Sequence, residues 1–293
     1  MSTLVLTGHA PPRTPAAEVP EVEVFSPLSH RSATVARLVR LGRAPLGIYT
    51  VPVLLVVLWQ VASSTGWLSP NLAASPVQIW HAAQSLWQQG LLWPDITKSL
   101  TRSGEGLAIG LTVGVVAGTI AGLWKLGDTL FTGVVSVINT IPLLAILPLM
   151  IVWFGIGEES KVLLIAMGAT VPIYINLFSA IRGVDAGLVE MARAAGAGRW
   201  RVITRVLLPG ALPGFLIGLR FALAYSVLGL VAAEQVNADS GIGFMINQAQ
   251  TYERVDQIYL GIVIYAVLGL TAHQFVRVLE RVFLTWRPSY NGS

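Results

Sequence analysis

Four histidines, 15 carboxylates and no cysteine bound the chemistry open to this 293-residue chain. His9, His30, His81 and His273 do not cluster, and no His, Asp or Glu lies three or four residues after His81. A His-Glu-x-x-His zinc helix is therefore absent, as are thiolate metal sites, disulfides and a cysteine nucleophile. The nearest approach to a phosphate-binding loop is Gly122-Leu-Trp-Lys-Leu-Gly127-Asp128-Thr129. Asp128 stands where that loop needs lysine, and a carboxylate there would repel phosphate. Gly196-Ala-Gly198 and Gly241-Ile-Gly243 lack the third glycine and the strand-turn-helix setting of a dinucleotide fingerprint. There is no nucleophile elbow either. Nothing marks the chain as an enzyme, and no residue is expected to hold a metal or cofactor.

What remains is a small set of charged and polar residues inside apolar runs, where a charge costs roughly 2.5–3.5 kcal/mol at mid-membrane. Arg102 and Glu105 sit three apart on one helix face, which suggests a local ion pair. Arg220 lies near one end of its run and can snorkel. Glu234 closes the same run and either shapes an outer gate or meets headgroup water. Ser136, Asn139, Tyr225 and Ser226 either line a solute path or hydrogen-bond between helices. No repeated Asp/Glu/His chain suggests a proton relay.

The elements that must carry these residues follow from composition. Only 12% of residues are charged, against about 25% in an ordinary soluble domain, while 54% are hydrophobic and the mean hydropathy is +0.68. Such a chain cannot cover a globule with polar surface, so a soluble enzyme is nearly excluded. About 20 apolar residues at 1.5 Å each cross the roughly 30 Å hydrocarbon core. Leu46–Ala62 forms the first such run; 106–124, 129–157, 162–181 and 257–276 carry no charge; Pro213–Ala233 carries only Arg220. The expectation is an all-α membrane protein with six transmembrane helices. If both termini are cytoplasmic, 14 of the 19 Lys and Arg fall inside, four (Lys98, Arg102, Lys161, Arg254) outside and Arg220 within a span. That bias fixes the orientation. It also accounts for the net charge of +4 without nucleic acid as a partner.

Several segments have further readings. Residues 1–45 begin with a proline-rich, aperiodic stretch and end in arginines, which points to a disordered cytoplasmic tail with a basic juxtamembrane end; 288–293 form a short C-terminal tail. The first apolar run starts too late and is too long for a cleavable signal peptide. Trp67, Trp80, Trp87 and Trp93 form an outer aromatic belt. Within it Pro76–Gln89 reads as a helix with Trp80, Ala83 and Trp87 on one face, lying on the surface or packed on its neighbours. Gly106, Gly110, Gly114, Gly118 and Gly122 return every four residues to one face, a stripe for close helix packing. The 129–157 run holds Pro142 and Pro148, exceeds the length of a span, and should be kinked.

The loop Arg182–Leu212 reads as two short helices: Leu188–Ala195, a break at Gly196-Ala197-Gly198, then Arg199–Leu208 until Pro209. A short exposed helix beside a bundle suits the groove of a partner. Its residues resemble the cytoplasmic motif of the permease subunits of bacterial ATP-binding cassette (ABC) importers: Glu-Ala-Ala, three residues, Gly, nine residues, Ile, one residue, Leu-Pro. Here Glu190-Met191-Ala192 is followed by Gly196, Val206 and Leu208-Pro209 at the same spacing, with Met191 for Ala and Val206 for Ile. Ile141-Pro142-Leu143, Leu147-Pro148-Leu149, Trp153-Phe154-Gly155-Ile156-Gly157, Leu212-Pro213-Gly214, Gly218-Leu219-Arg220 and Ala233-Glu234 are similar to the branch importing alkanesulfonates, taurine and nitrate. The resemblance covers about 46–287.

The resemblance implies a type I ABC importer permease fold in the bacterial inner membrane. It also implies a second permease copy, most simply a homodimer, two ATP-binding subunits that hold the ATP and Mg, and an extracytoplasmic solute-binding protein. Glu190, Met191, Ala192, Arg193, Gly196, Leu208 and Pro209 carry over as positions that couple to the ATPase. Glu190 would place a charge near a helix start, Ala192 would permit close approach and Gly196 a sharp exit. Branch resemblance alone makes an aliphatic sulfonate the expected solute, with taurine or nitrate as alternatives. A stand-alone secondary transporter is the alternative from another class, although no repeat relates 46–160 to 160–287.

Overall fold

The computed structural model describes residues 47–67, 69 and 73–284; the expected tails 1–45 and 288–293 lie outside them. The chain divides into a unit ending at Leu55 and one beginning at Val56. In the first, Val51, Val53, Leu54 and Leu55 are exposed apolar residues at the start of α1 (Gly47–Ser64). Everything below concerns the second unit, in which every described element is helical.

Helix α2 (Pro76–Gln88) starts where its sequence requires. Ser75 accepts from the Gln78 amide, Gln78 returns a bond to the Ser75 amide, and Pro76 supplies a preset φ. Its buried face is Ile79, Ala82 and Leu86, while Trp80 and Trp87 point outward. The helix therefore packs on its neighbours, with Trp80 turned outward and Trp87 edge-on to Trp93 of the next helix. Helices α3 (Leu92–Leu123), α4 (Lys125–Thr140), α5 (Leu143–Phe154) and α6 (Glu158–Arg182) follow. After them come α7 (Ala186–Ala194), α8 (Arg199–Val202), a π turn at Ile203–Leu207, α9 (Leu208–Asn237), α10 (Ile242–Thr251) and α11 (Val255–Phe283).

Helix α6 is the axis of this unit: Leu164, Ile165, Ala169 and Ile173 are fully buried between α3 and α9. The α3 glycines lie against it one turn at a time. A Cβ at Gly106 would meet Ile165, at Gly110 Ala166 and Ala169, at Gly114 Ile173, at Gly118 Tyr174 and Leu177, and at Gly122 Ile181. Backbone thus meets side chain along nearly the whole of α3. Such contact replaces the hydrophobic driving force that helices lack in lipid. On the opposite side of α6, Gly214 and Gly218 of α9 approach Ala180, Asn176 and Pro172 in the same manner.

The span count is met in part, and two expectations change. Among the described residues, four helices are long and apolar enough to span: α3, α6, the continuous Arg199–Val236 and α11. Helix α1, described from Gly47 to Ser64, is not counted among them. The 129–157 run is not one kinked helix but two, α4 and α5, bent by 105°. Pro142 has no amide to continue the helix and forces Ile141 into an extended conformation, whereas Pro148 is absorbed inside α5. With the bent pair counted as one, the spans number up to five. Finally, Pro209 does not end a helix. The π turn lets the Leu208 amide bond back to the Ile203 carbonyl, so the chain enters α9 around the missing proline N–H without a break.

Candidate coupling surface and solute pathway

Helix α7 buries no residue, and Leu188 and Met191 are about half or more exposed. Its ends are nonetheless well made. Asp185 accepts from the Gly187 amide at 2.8 Å to cap the start. Gly196, at φ +78°, closes the end, with Gly196 N bonding Arg193 O and Ala197 N bonding Ala192 O, the double closure of a Schellman motif. Glu190, Met191 and Arg193 stand exposed on this helix, and Ala192 is half-buried. Glu190 lies mid-helix, since the cap at Asp185 places the start five residues earlier. Leu208 and Pro209 are exposed at the foot of α9, just past the π turn that α7 touches. The result is a short rigid helix with an apolar and charged outer face, tethered on both sides by turns.

At the other end of α6, about 37 Å away for 25 residues at 1.5 Å each, the charged residues of the spans converge. Arg102, with 2% of its side chain exposed, grips Glu158 with two bonds, Nε to Oε2 at 2.6 Å and Nη2 to Oε1 at 2.7 Å. Its Nη1 donates to Glu234 Oε1 at 2.7 Å and to the Ser240 carbonyl at 2.6 Å. Glu234 is fully buried and also accepts from Ser99 Oγ, the Gly243 amide and the Tyr265 hydroxyl. Ser99 Oγ accepts from the Ile242 amide, and Asp95 from the Gly241 amide. Lys98 and Lys161 flank Glu158. Three cations thus meet two carboxylates, and every buried charge in the cluster has partners, as burial demands. The cluster ties α3, α6, α9, α11 and the turn before α10 into one clasp.

This corrects the pairing of Arg102 with Glu105. Arg102 continues the register of the glycine stripe and so faces α6, whereas Glu105, about 60° round the helix, is exposed and has no ion-pair partner among the described residues. Glu234 does not meet headgroup water; it is the centre of the clasp. Arg220 reaches Glu280 of α11 at 2.6 Å rather than only snorkelling. At the coupling end, Arg182 binds Asp128 and the Ala121 carbonyl, joining the foot of α6 to α3 and α4.

The four polar pathway candidates separate. Ser136 is exposed and bonds Thr132 O; Ser226 is buried and bonds Ala222 O. Asn139 and Tyr225 meet at one cavity of about 350 Å³, formed where the elbow between α4 and α5 stands off α6 and α9. Asn176 lines it too, and was missed from sequence; the available signal was an amide four residues after Pro172 in mid-span, and its Nδ2 bonds the Pro172 carbonyl at 2.8 Å. Apart from Thr140, whose hydroxyl bonds the Val137 carbonyl, the other walls are apolar, including Ile141, Ile146, Val171 and Phe221.

Residues 110–284 match the family described as binding-protein-dependent transport system inner membrane component. The chain is 43% identical over 241 residues to the putative aliphatic sulfonates transport permease protein SsuC of Escherichia coli (strain K12), covering 82% of this chain and 92% of that one. It is 40% identical to the protein of the same name from Bacillus subtilis (strain 168), covering 83% and 88%. It is 33% identical to the taurine transport system permease protein TauC of Escherichia coli (strain K12), covering 82% and 89%. In structure it resembles a chain of an amino acid ABC transporter crystallised with histidines, at a TM-score of 0.57 and 20% identity, covering 68% of this chain and 97% of that one. A bundle of membrane-length helices carrying an exposed, capped loop helix, matched over more than half its length by this family, is a multi-pass membrane protein that belongs to the binding-protein-dependent ABC importer permeases.

Proposed function

We propose that this chain is the pathway-forming subunit of an ATP-driven importer of aliphatic sulfonates in a bacterial inner membrane. The observation that carries the reading is α7: a helix with no buried residue, capped by Asp185 and closed by Gly196, holding Glu190-Met191-Ala192 in the motif register. Such a helix leaves its outer face unpacked and suits a cleft in another protein. The solute class follows the two relatives at 43% and 40% identity, both named for aliphatic sulfonates; taurine is the second choice, from the relative at 33%.

In this reading two copies of the chain enclose the path, and two separate subunits bind ATP and Mg and do the catalysis. A binding protein delivers solute from outside. Six crossings, with α1 and the α4–α5 pair each counted, place both termini and α7 in the cytoplasm and the Arg102 clasp outside. Arg182, Arg193, Arg199, Arg201 and Arg205 lie around α7, as the positive-inside bias requires. ATP-driven closure of the partner moves α7, and α6 and α9 carry that movement across as packed, clasped rods.

Affinity co-purification with the cognate ATPase subunit tests the docking. Glu190→Lys and Gly196→Pro are expected to abolish transport while the permease still inserts. Proline cannot adopt φ +78° at Gly196, and Lys inverts the charge offered to the cleft. Full ATPase association and wild-type uptake in both variants would contradict the assignment.

A further inference from the structure

The cavity at the α4–α5 elbow is lined by four polar side chains, Asn139, Thr140, Asn176 and Tyr225, among apolar ones. We propose that it is a solute site of the permease itself, in which Asn139, Asn176 and Tyr225 hydrogen-bond the sulfonate head while the alkyl tail lies along the apolar walls. The site rests on the sulfonate reading above and assigns part of the selectivity to this chain rather than to the binding protein alone.

Three observations carry it. First, the Asn139 amide and the Tyr225 hydroxyl have no hydrogen-bond partner within the described residues, and Asn176 uses only one of its amide hydrogens, on Pro172 O. Donors are thus left free at one cavity, and Asn139 and Tyr225 are exposed there, so an entering solute can reach them. Second, no Lys, Arg, Asp or Glu lines the cavity. An oxyanion would be held by neutral donors only, firmly enough to enter and weakly enough to leave, as conduction requires. Third, about 350 Å³ lies at the small end of ligand pockets. Ile141, Ile146, Val171, Ile175 and Phe221 give a short aliphatic chain apolar surface to cover.

The cavity is also placed to change shape. Its α6 and α9 wall belongs to helices joined by the clasp, whereas its other wall is the elbow, where Pro142 interrupts the helical hydrogen bonds. α5 makes no side-chain hydrogen bond to α6 or α9 among the described residues. Movement of the elbow against the clasped helices would open or close the site without disturbing a buried charge.

The test is uptake of methanesulfonate and hexanesulfonate by proteoliposomes holding permease, ATPase subunits and binding protein, scored only for complexes that retain the ATPase. Tyr225→Phe and Asn139→Ala each remove one donor and are expected to slow uptake of both sulfonates about three- to tenfold, the worth of one hydrogen bond. Ile175→Trp adds bulk at the apolar walls and should penalise hexanesulfonate more than methanesulfonate. Wild-type rates and an unchanged chain-length profile in all three variants would overturn the site. If instead the wild-type permease does not associate with the ATPase at all, the importer reading fails first, a distinct result.

Discussion

Arg102 does what a charge in a membrane bundle must do: it finds two carboxylates and the carbonyl and hydroxyl of Ser240, and leaves no donor idle. Removing it while leaving Glu234 and Glu158 in place strands a buried charge, which costs about 3–5 kcal/mol. We therefore expect Arg102→Met to lower the thermal midpoint of the purified permease sharply, and Glu105→Gln, on the exposed side, to leave it within error. Equal midpoints for the two variants would dissolve the clasp. Of this cluster, Arg102 and Glu234 stood out in sequence, but Glu158 did not, and neither did the pairing. Glu105 is three positions from Arg102, whereas Glu158 and Glu234 are 56 and 132 positions away. Spacing along a helix reports only local neighbours. The usable signal was register: Arg102 stands four residues before Gly106 and shares its face.

At the scale of elements, glycine spacing reads directly as contact because four residues are nearly one turn. The α3 stripe meets α6 at each of its five positions, and Gly114→Ala would place a Cβ 2.8 Å from Ile173 Cβ. Overpacking of that kind costs about 1–3 kcal/mol. Gly133→Ala on α4, with nothing within 4 Å, is the matched control. Thermal unfolding should separate the two variants, and a Gly114 variant as stable as the Gly133 variant would mean that the stripe carries no packing. Prolines were less legible. Pro142 breaks its helix through 105°, Pro148 bends nothing apart, and Pro209 is bypassed by a π turn. Sequence shows where an amide is missing. Whether the chain breaks or repairs itself there depends on tertiary neighbours that no local pattern contains.

For the whole molecule, composition alone gave the class, because a chain only 12% charged cannot dissolve its own surface. Most apolar runs became membrane-length helices. The first is not among them in its described part, and the third split at its proline. The loop helix was legible because its glycine break is a local signal: Gly196 closes α7 where the sequence ends the first short helix. The cavity was only half legible: Asn139 and Tyr225 were found as polar residues in apolar runs, while Asn176 came into view only once α6 and the elbow were brought together.

The central claim is that this chain moves an aliphatic sulfonate across a membrane at the expense of ATP hydrolysed elsewhere. Proteoliposomes containing the permease, its ATPase subunit and its binding protein allow a direct measurement, uptake of labelled hexanesulfonate with and without ATP. The account predicts uptake that needs all three proteins and ATP, and that disappears with Glu190→Lys. Uptake by the permease alone, driven by an ion gradient and indifferent to ATP, would contradict it.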